Sequence, residues 1–106
     1  MAYLNVEEVE EALLTLSTTY NDISSIIELP NKSIEGRPIH ALVLGKNFEN
    51  RKHRSVLFTG SVHAREWGGS DICVYFVADL LEAYTKGTGL RYRNQYFKAH
   101  KIKKII

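Results

Sequence analysis

The stretch from Ser55 to Gly69, S-V-L-F-T-G-S-V-H-A-R-E-W-G-G, constrains this chain more than any other. Val56 to Thr59 is a short apolar run of the kind that forms a strand buried on both faces. Gly60 breaks the run, and His63, Arg65, Glu66 and Trp67 follow before Gly68 and Gly69 lead into a helix. A turn leaving a buried strand can aim a histidine and a glutamate three residues apart at one point in space.

An imidazole nitrogen and a carboxylate oxygen aimed at one point suit a zinc ion. A catalytic zinc takes three protein ligands and keeps a fourth position for water, so His63 and Glu66 would be two ligands of three. The same spacing also fits a hydrogen-bonded surface histidine beside solvated loop charges. The setting, with an apolar strand before the motif and Gly-Gly and a helix after it, favours the metal. A third ligand would be sought among His40, His53 and His100. His53 stands among Arg51, Lys52 and Arg54, whose charges repel a dication. His40 reads as a half-buried strand residue with no ligand spacing around it. His100 would coordinate only if the C-terminal helix folded back onto the motif.

G-S-V-H-A-R-E-W resembles the zinc-binding segment of the zinc metallocarboxypeptidases, the carboxypeptidase A/B-like peptidases, which carry G-x-x-H-x-R-E-W at a strand end. Upstream, Ser33-Ile34-Glu35-Gly36-Arg37-Pro38-Ile39 resembles the S-x-E-G-R-x-I segment that precedes this motif in the same family. The resemblance implies an α/β fold, a three-layer α/β/α domain with a mixed sheet. Residues 1–106 would be its amino-terminal third or so, with the sheet incomplete at one edge. It also implies Zn2+ held by His63 and Glu66, Arg65 contacting the substrate's backbone carbonyl, and a peptide or protein C-terminus as substrate. In the family the third zinc ligand, an Asn-Arg pair gripping the terminal carboxylate and a glutamate base lie far downstream. No catalytic base is therefore expected within residues 1–106, and the chain alone is expected to be inactive. Arg93-Asn94 has the residue types of the pair in reversed order and too close to the motif. Two other readings stay open: a non-catalytic module that binds a partner through an exposed sheet edge, and a related zinc deacylase. The Arg-Glu-Trp continuation favours the peptidase.

With 44% hydrophobic and 25% charged residues, the chain reads as one globular unit. A formal charge of +2 is too small to argue for nucleic acid or an anionic membrane as partner, and Lys98, Lys101, Lys103 and Lys104 read as a solvated helix face. The single Cys73 excludes an internal disulfide, and its apolar neighbours predict a buried thiol. No apolar run approaches the roughly 20 residues that span a bilayer. The start, M-A-Y-L-N-V-E-E, has neither the basic nor the apolar region of a signal peptide. Localisation thus stays open between an intracellular protein and a secreted one whose leader is outside this sequence, family members being commonly secreted.

Asn5 with Glu8 predicts a capping box opening a helix, and Val6, Val9, Leu13, Leu16 and Tyr20 form its apolar stripe, to lie against a sheet. Ile26–Leu29 and Pro38–Leu44 predict an antiparallel hairpin turning near Glu35-Gly36. Ser70 or Asp71 is expected to cap a long helix that runs to Lys86 and stops at Gly87. That helix is apolar over most of its circumference, as if built to be covered by more structure than this chain supplies. An aromatic and basic stretch through Phe97 follows Gly87-Thr88-Gly89. A last helix, Lys98 to Ile106, then ends on two isoleucines expected to be exposed. The open sheet edge and the apolar helix together predict self-association.

Overall fold

A computed structural model describes residues 3–46 and 54–106. The elements run α1 (Val6–Thr19), β1 (Ser24–Glu28), β2 (His40–Leu44), α2 (Trp67–Lys86), β3 (Leu90–Tyr92), β4 (Gln95–Phe97) and α3 (Ala99–Ile105). The expected capping box forms: Glu8 N–H donates to Asn5 Oδ1 at 2.8 Å and Asn5 N–H to Glu8 Oε1 at 3.0 Å. Two of the helix's orphan donors are thereby satisfied before its first turn is complete. The helix packs on β1 and on α2, with Leu13, Leu16 and Tyr20 half-buried and Val6 left exposed.

β1 and β2 pair antiparallel, Ser24 opposite Leu44 through Glu28 opposite His40, and the Leu29 N–H bond to Ile39 O carries the ladder one step further. The turn between them is closed by Ser33, whose backbone bonds Arg37 O and Gly36 N and whose Oγ accepts from Arg37 N–H at 3.1 Å. Gly36 sits there at φ +80°, a conformation open to glycine and strained for most side chains.

α2 carries the core. Leu80 and Ala83 bury against Ile102 of α3, and Leu44, Phe76, Tyr84, Leu90, Phe97 and Ile106 close around them. Gly87 ends the helix in the left-handed region, its N–H bonded to the α2 carbonyls of Ala83 and Tyr84. Ile106 packs on this core, so only Ile105 of the terminal pair is exposed. Residues 90–97, to which the sequence assigned no element, form a second antiparallel hairpin with Arg93 and Asn94 as its two-residue connection.

Helices and small antiparallel sheets make this an α/β unit, with two separate two-stranded sheets among the described residues. One expected strand is absent: residues 56–59 pair with nothing described, and Val56, Leu57 and Phe58 are 77%, 83% and 63% exposed. An apolar run becomes a strand only when a neighbour takes up its backbone groups. Here β1 and β2 pair with each other, and no described strand lies beside residues 56–59. Cys73 is also half-buried rather than buried, standing between exposed Ile72 and buried Val74 on α2.

Candidate metal centre

The motif lies between residues 56–59 and α2, where a tight turn turns the chain into the helix. Glu66 N–H donates to His63 O at 3.0 Å, and Glu66 Oε2 accepts from His63 N–H at 3.3 Å. The backbone bond and the carboxylate bond close residues 63–66 into one unit. α2 begins at Trp67 with Glu66 as N-cap, three residues before the expected start, and neither Ser70 nor Asp71 is its cap. The reason is tertiary. Ser61 reaches across the turn, its Oγ donating to Glu66 O at 2.6 Å and accepting from Ser70 N–H at 2.9 Å. Asp71 instead accepts from Leu4 N–H at 3.2 Å and ties the segment before α1 to α2.

Two glycines let the turn close. A Cβ on Gly60 would stand 2.5 Å from the carbonyl carbon of Gly69, and one on Gly69 would stand 2.5 Å from Ser61 N. The two backbone segments touch where any side chain would force them apart. Ser61, next to this contact, holds φ +55°, fixed by the hydroxyl bonds just described.

His63 and Glu66 line a common groove of about 740 Å³ with Tyr3, Val9, Ser61 and Trp67. Tyr3 meets Trp67 edge to face at 5.9 Å between ring centroids, so the segment before α1 forms one wall. Arg65 is exposed on the turn between the two and is not part of the groove lining.

An imidazole and a carboxylate on one turn are donor types that zinc accepts, so the pair fits two positions of a three-ligand site. Among the described residues no group of three His, Cys, Asp or Glu side chains is placed to hold a metal ion. His40 is engaged elsewhere: its Nδ1 lies 2.8 Å from Glu10 Oε2 and its Nε2 3.8 Å from Glu28 Oε1. His100 is exposed on α3, which packs against Leu80 and Ala83 of α2. At 1.5 Å per residue that contact is about 20 Å along the helix from the motif. His53 lies outside the described residues.

His63, Glu66 and Arg65 stand out in the sequence as candidates, but the parts that shape the turn do not. Gly60 and Gly69 could be read as breakers, although not as partners. Ser61 gave no local clue, because the atoms it bonds belong to residues five and nine positions away.

Residues 9–100 match the sequence profile described as Zinc carboxypeptidase. The chain belongs to the zinc carboxypeptidase family. Carboxypeptidase A6 of Homo sapiens is 30% identical over 89 residues, which cover 84% of this chain and 20% of that protein. Carboxypeptidase A6 of Mus musculus is 30% identical over 82 residues, covering 77% of this chain and 18% of its own length. The chain therefore spans about a fifth of the length of these family members. The family's description names zinc as the metal of its members.

Proposed function

We propose that residues 1–106 are the amino-terminal part of a zinc carboxypeptidase catalytic domain, a three-layer α/β/α arrangement whose mixed sheet further strands of the domain would complete. His63 and Glu66 supply two of its zinc ligands, and the whole domain hydrolyses C-terminal peptide bonds. The observation that carries the reading is the closed turn, which puts both donors on one groove at the start of α2.

Zinc, when bound, polarises the scissile carbonyl and lowers the pKa of its water. The chain's own part is to hold and orient. Ser61 fixes the N-terminus of α2 against the turn, so that His63 and Glu66 keep their mutual placement. The Glu66 carboxylate, anchored at Oε2 by the His63 N–H, keeps its other oxygen for the metal. Arg65, exposed on the same turn, donates to the substrate's backbone carbonyl and draws charge toward it.

Two ligands hold zinc far more loosely than three in a fixed geometry, and general-base assistance is worth about 10²–10⁴-fold in rate. The 106-residue chain should therefore bind zinc weakly and release no C-terminal residues from peptides. Equilibrium dialysis against zinc tests the ligand assignment: His63→Ala and Glu66→Ala should each abolish the weak binding, whereas His100→Ala should not. Zinc binding that survives His63→Ala, or zinc-dependent release of C-terminal residues by this chain, would refute the reading.

A further inference from the structure

Of the six asparagines in the chain, only Asn31 is followed two residues on by a hydroxyl, in Asn31-Lys32-Ser33. Asn5, Asn21, Asn47, Asn50 and Asn94 have Glu7, Ile23, Glu49, Lys52 and Tyr96 at that position. Asn-x-Ser with x other than proline is the acceptor pattern of N-linked glycosylation, and it requires a surface loop around it. The zinc reading makes no use of these residues.

The fold supplies the loop. Asn31, Lys32 and Ser33 belong to the connection between β1 and β2, outside both strands, with Asn31 and Lys32 exposed. The bonds that shape this tip are local, from Ser33 to Gly36 and Arg37. Ser33 Oγ accepts there from Arg37 N–H at 3.1 Å and keeps its own proton to donate. Acceptor and hydroxyl are thus presented together without unfolding the hairpin.

The same tip carries apolar surface. Leu29, Ile34 and Ile39 are exposed on it, Ile34 completely, and the Leu29 N–H bond to Ile39 O sets two of them side by side. A bulky hydrophilic group on Asn31 would solvate a tip that otherwise offers these side chains to another molecule. It would leave the groove of His63 and Glu66 open, because none of residues 29–39 lines that groove.

We propose that Asn31 is an N-glycosylation site. The donor is an oligosaccharide on a polyprenyl pyrophosphate, and the catalyst is the membrane-bound transferase of the secretory lumen. Asn31 Nδ2 bonds to the anomeric carbon of the first sugar as the bond from that carbon to the pyrophosphate oxygen breaks. The polyprenyl pyrophosphate leaves with the electron pair, and one amide proton passes to a base of the transferase. Nothing is oxidised or reduced.

Expression of the 106-residue chain behind a cleavable secretory leader in eukaryotic cells tests the assignment, read by intact mass of the chain from lumen and medium before and after peptide N-glycosidase. The chain should be heavier by a single glycan, which the glycosidase removes and replaces by an aspartate at Asn31. Asn31→Gln, which keeps Ser33 and its turn bonds, should lose the mass shift completely, and so should Ser33→Ala. Ser33→Thr keeps a hydroxyl and should keep the shift, which separates loss of the acceptor pattern from loss of the turn. The glycosylated chain and Asn31→Gln should unfold at the same urea midpoint, as an open tip requires. A chain of unshifted mass, a shift that survives Asn31→Gln, or a midpoint lowered by the glycan would overturn the proposal.

Discussion

Gly68 and Gly69, adjacent in the first turn of α2, should respond to alanine with opposite signs. Glycine inside a helix costs up to about 1 kcal/mol relative to alanine, so propensity alone predicts that both substitutions stabilise. The surroundings separate them. A Cβ on Gly68 would meet only the Cε1 atom of Tyr3 at 3.8 Å, an ordinary contact with a side chain that can move. A Cβ on Gly69 would stand 2.5 Å from Ser61 N and 3.2 Å from Gly60 Cα and C, all of it backbone. Relieving that clash means moving the Gly60–Ser61 segment by about 1 Å and breaking the Ser61 hydroxyl bonds that hold the turn. Overpacking of this kind costs about 1–3 kcal/mol, and a lost hydrogen bond about 1 kcal/mol more. Set against the propensity gain, Gly69→Ala should destabilise by about 2 kcal/mol, while Gly68→Ala should stabilise by about 0.5 kcal/mol. Urea denaturation followed by circular dichroism resolves both. With a slope of about 1 kcal/mol per molar, the midpoints should move down by about 2 M and up by about 0.5 M. Shifts of the same sign in the two variants would refute the claim that the Gly60–Gly69 contact shapes this turn.

Tyr92 should titrate late, because loss of water around its hydroxyl and then the Asp79 carboxylate raise its pKa to about 12. The raised value means that its contribution to stability is fully present below about pH 10 and is lost as pH rises toward 12. Ultraviolet titration of phenolate should show one late tyrosine that moves earlier in Asp79→Asn. A late tyrosine unmoved by that change would remove Asp79 as a cause. The exposed apolar residues 56–58 should drive self-association of the isolated chain. Sedimentation should show oligomers that dissociate in Val56→Lys with Phe58→Lys, and a monomeric parent chain would count against that role.

Elements whose causes are local could be read in the sequence. The capping box needs only Asn5 and Glu8 and the stop of α2 only Gly87, so both formed where the residues placed them, while the β1–β2 hairpin formed around Glu-Gly with its strands at Ser24–Glu28 and His40–Leu44 in place of Ile26–Leu29 and Pro38–Leu44. That His63 and Glu66 share one turn was legible for the same reason, since they stand three residues apart and bond to each other. α2 starts at Trp67, with Glu66 as N-cap and Ser61 across the turn accepting from Ser70 N–H, and the turn closes because Gly60 and Gly69 meet. Residues 56–59 have a strand's composition and still form no strand, since pairing depends on a neighbour that composition cannot supply. The β3–β4 hairpin was hidden by its charge and aromatic content, and only the burial of Leu90 and Phe97 against Leu80 and Ile102 shows which side of it is the inside. Local hydrogen bonding and chain stereochemistry are written in neighbouring residues. Which groups meet across the fold is decided by packing, where distant segments compete for the same space.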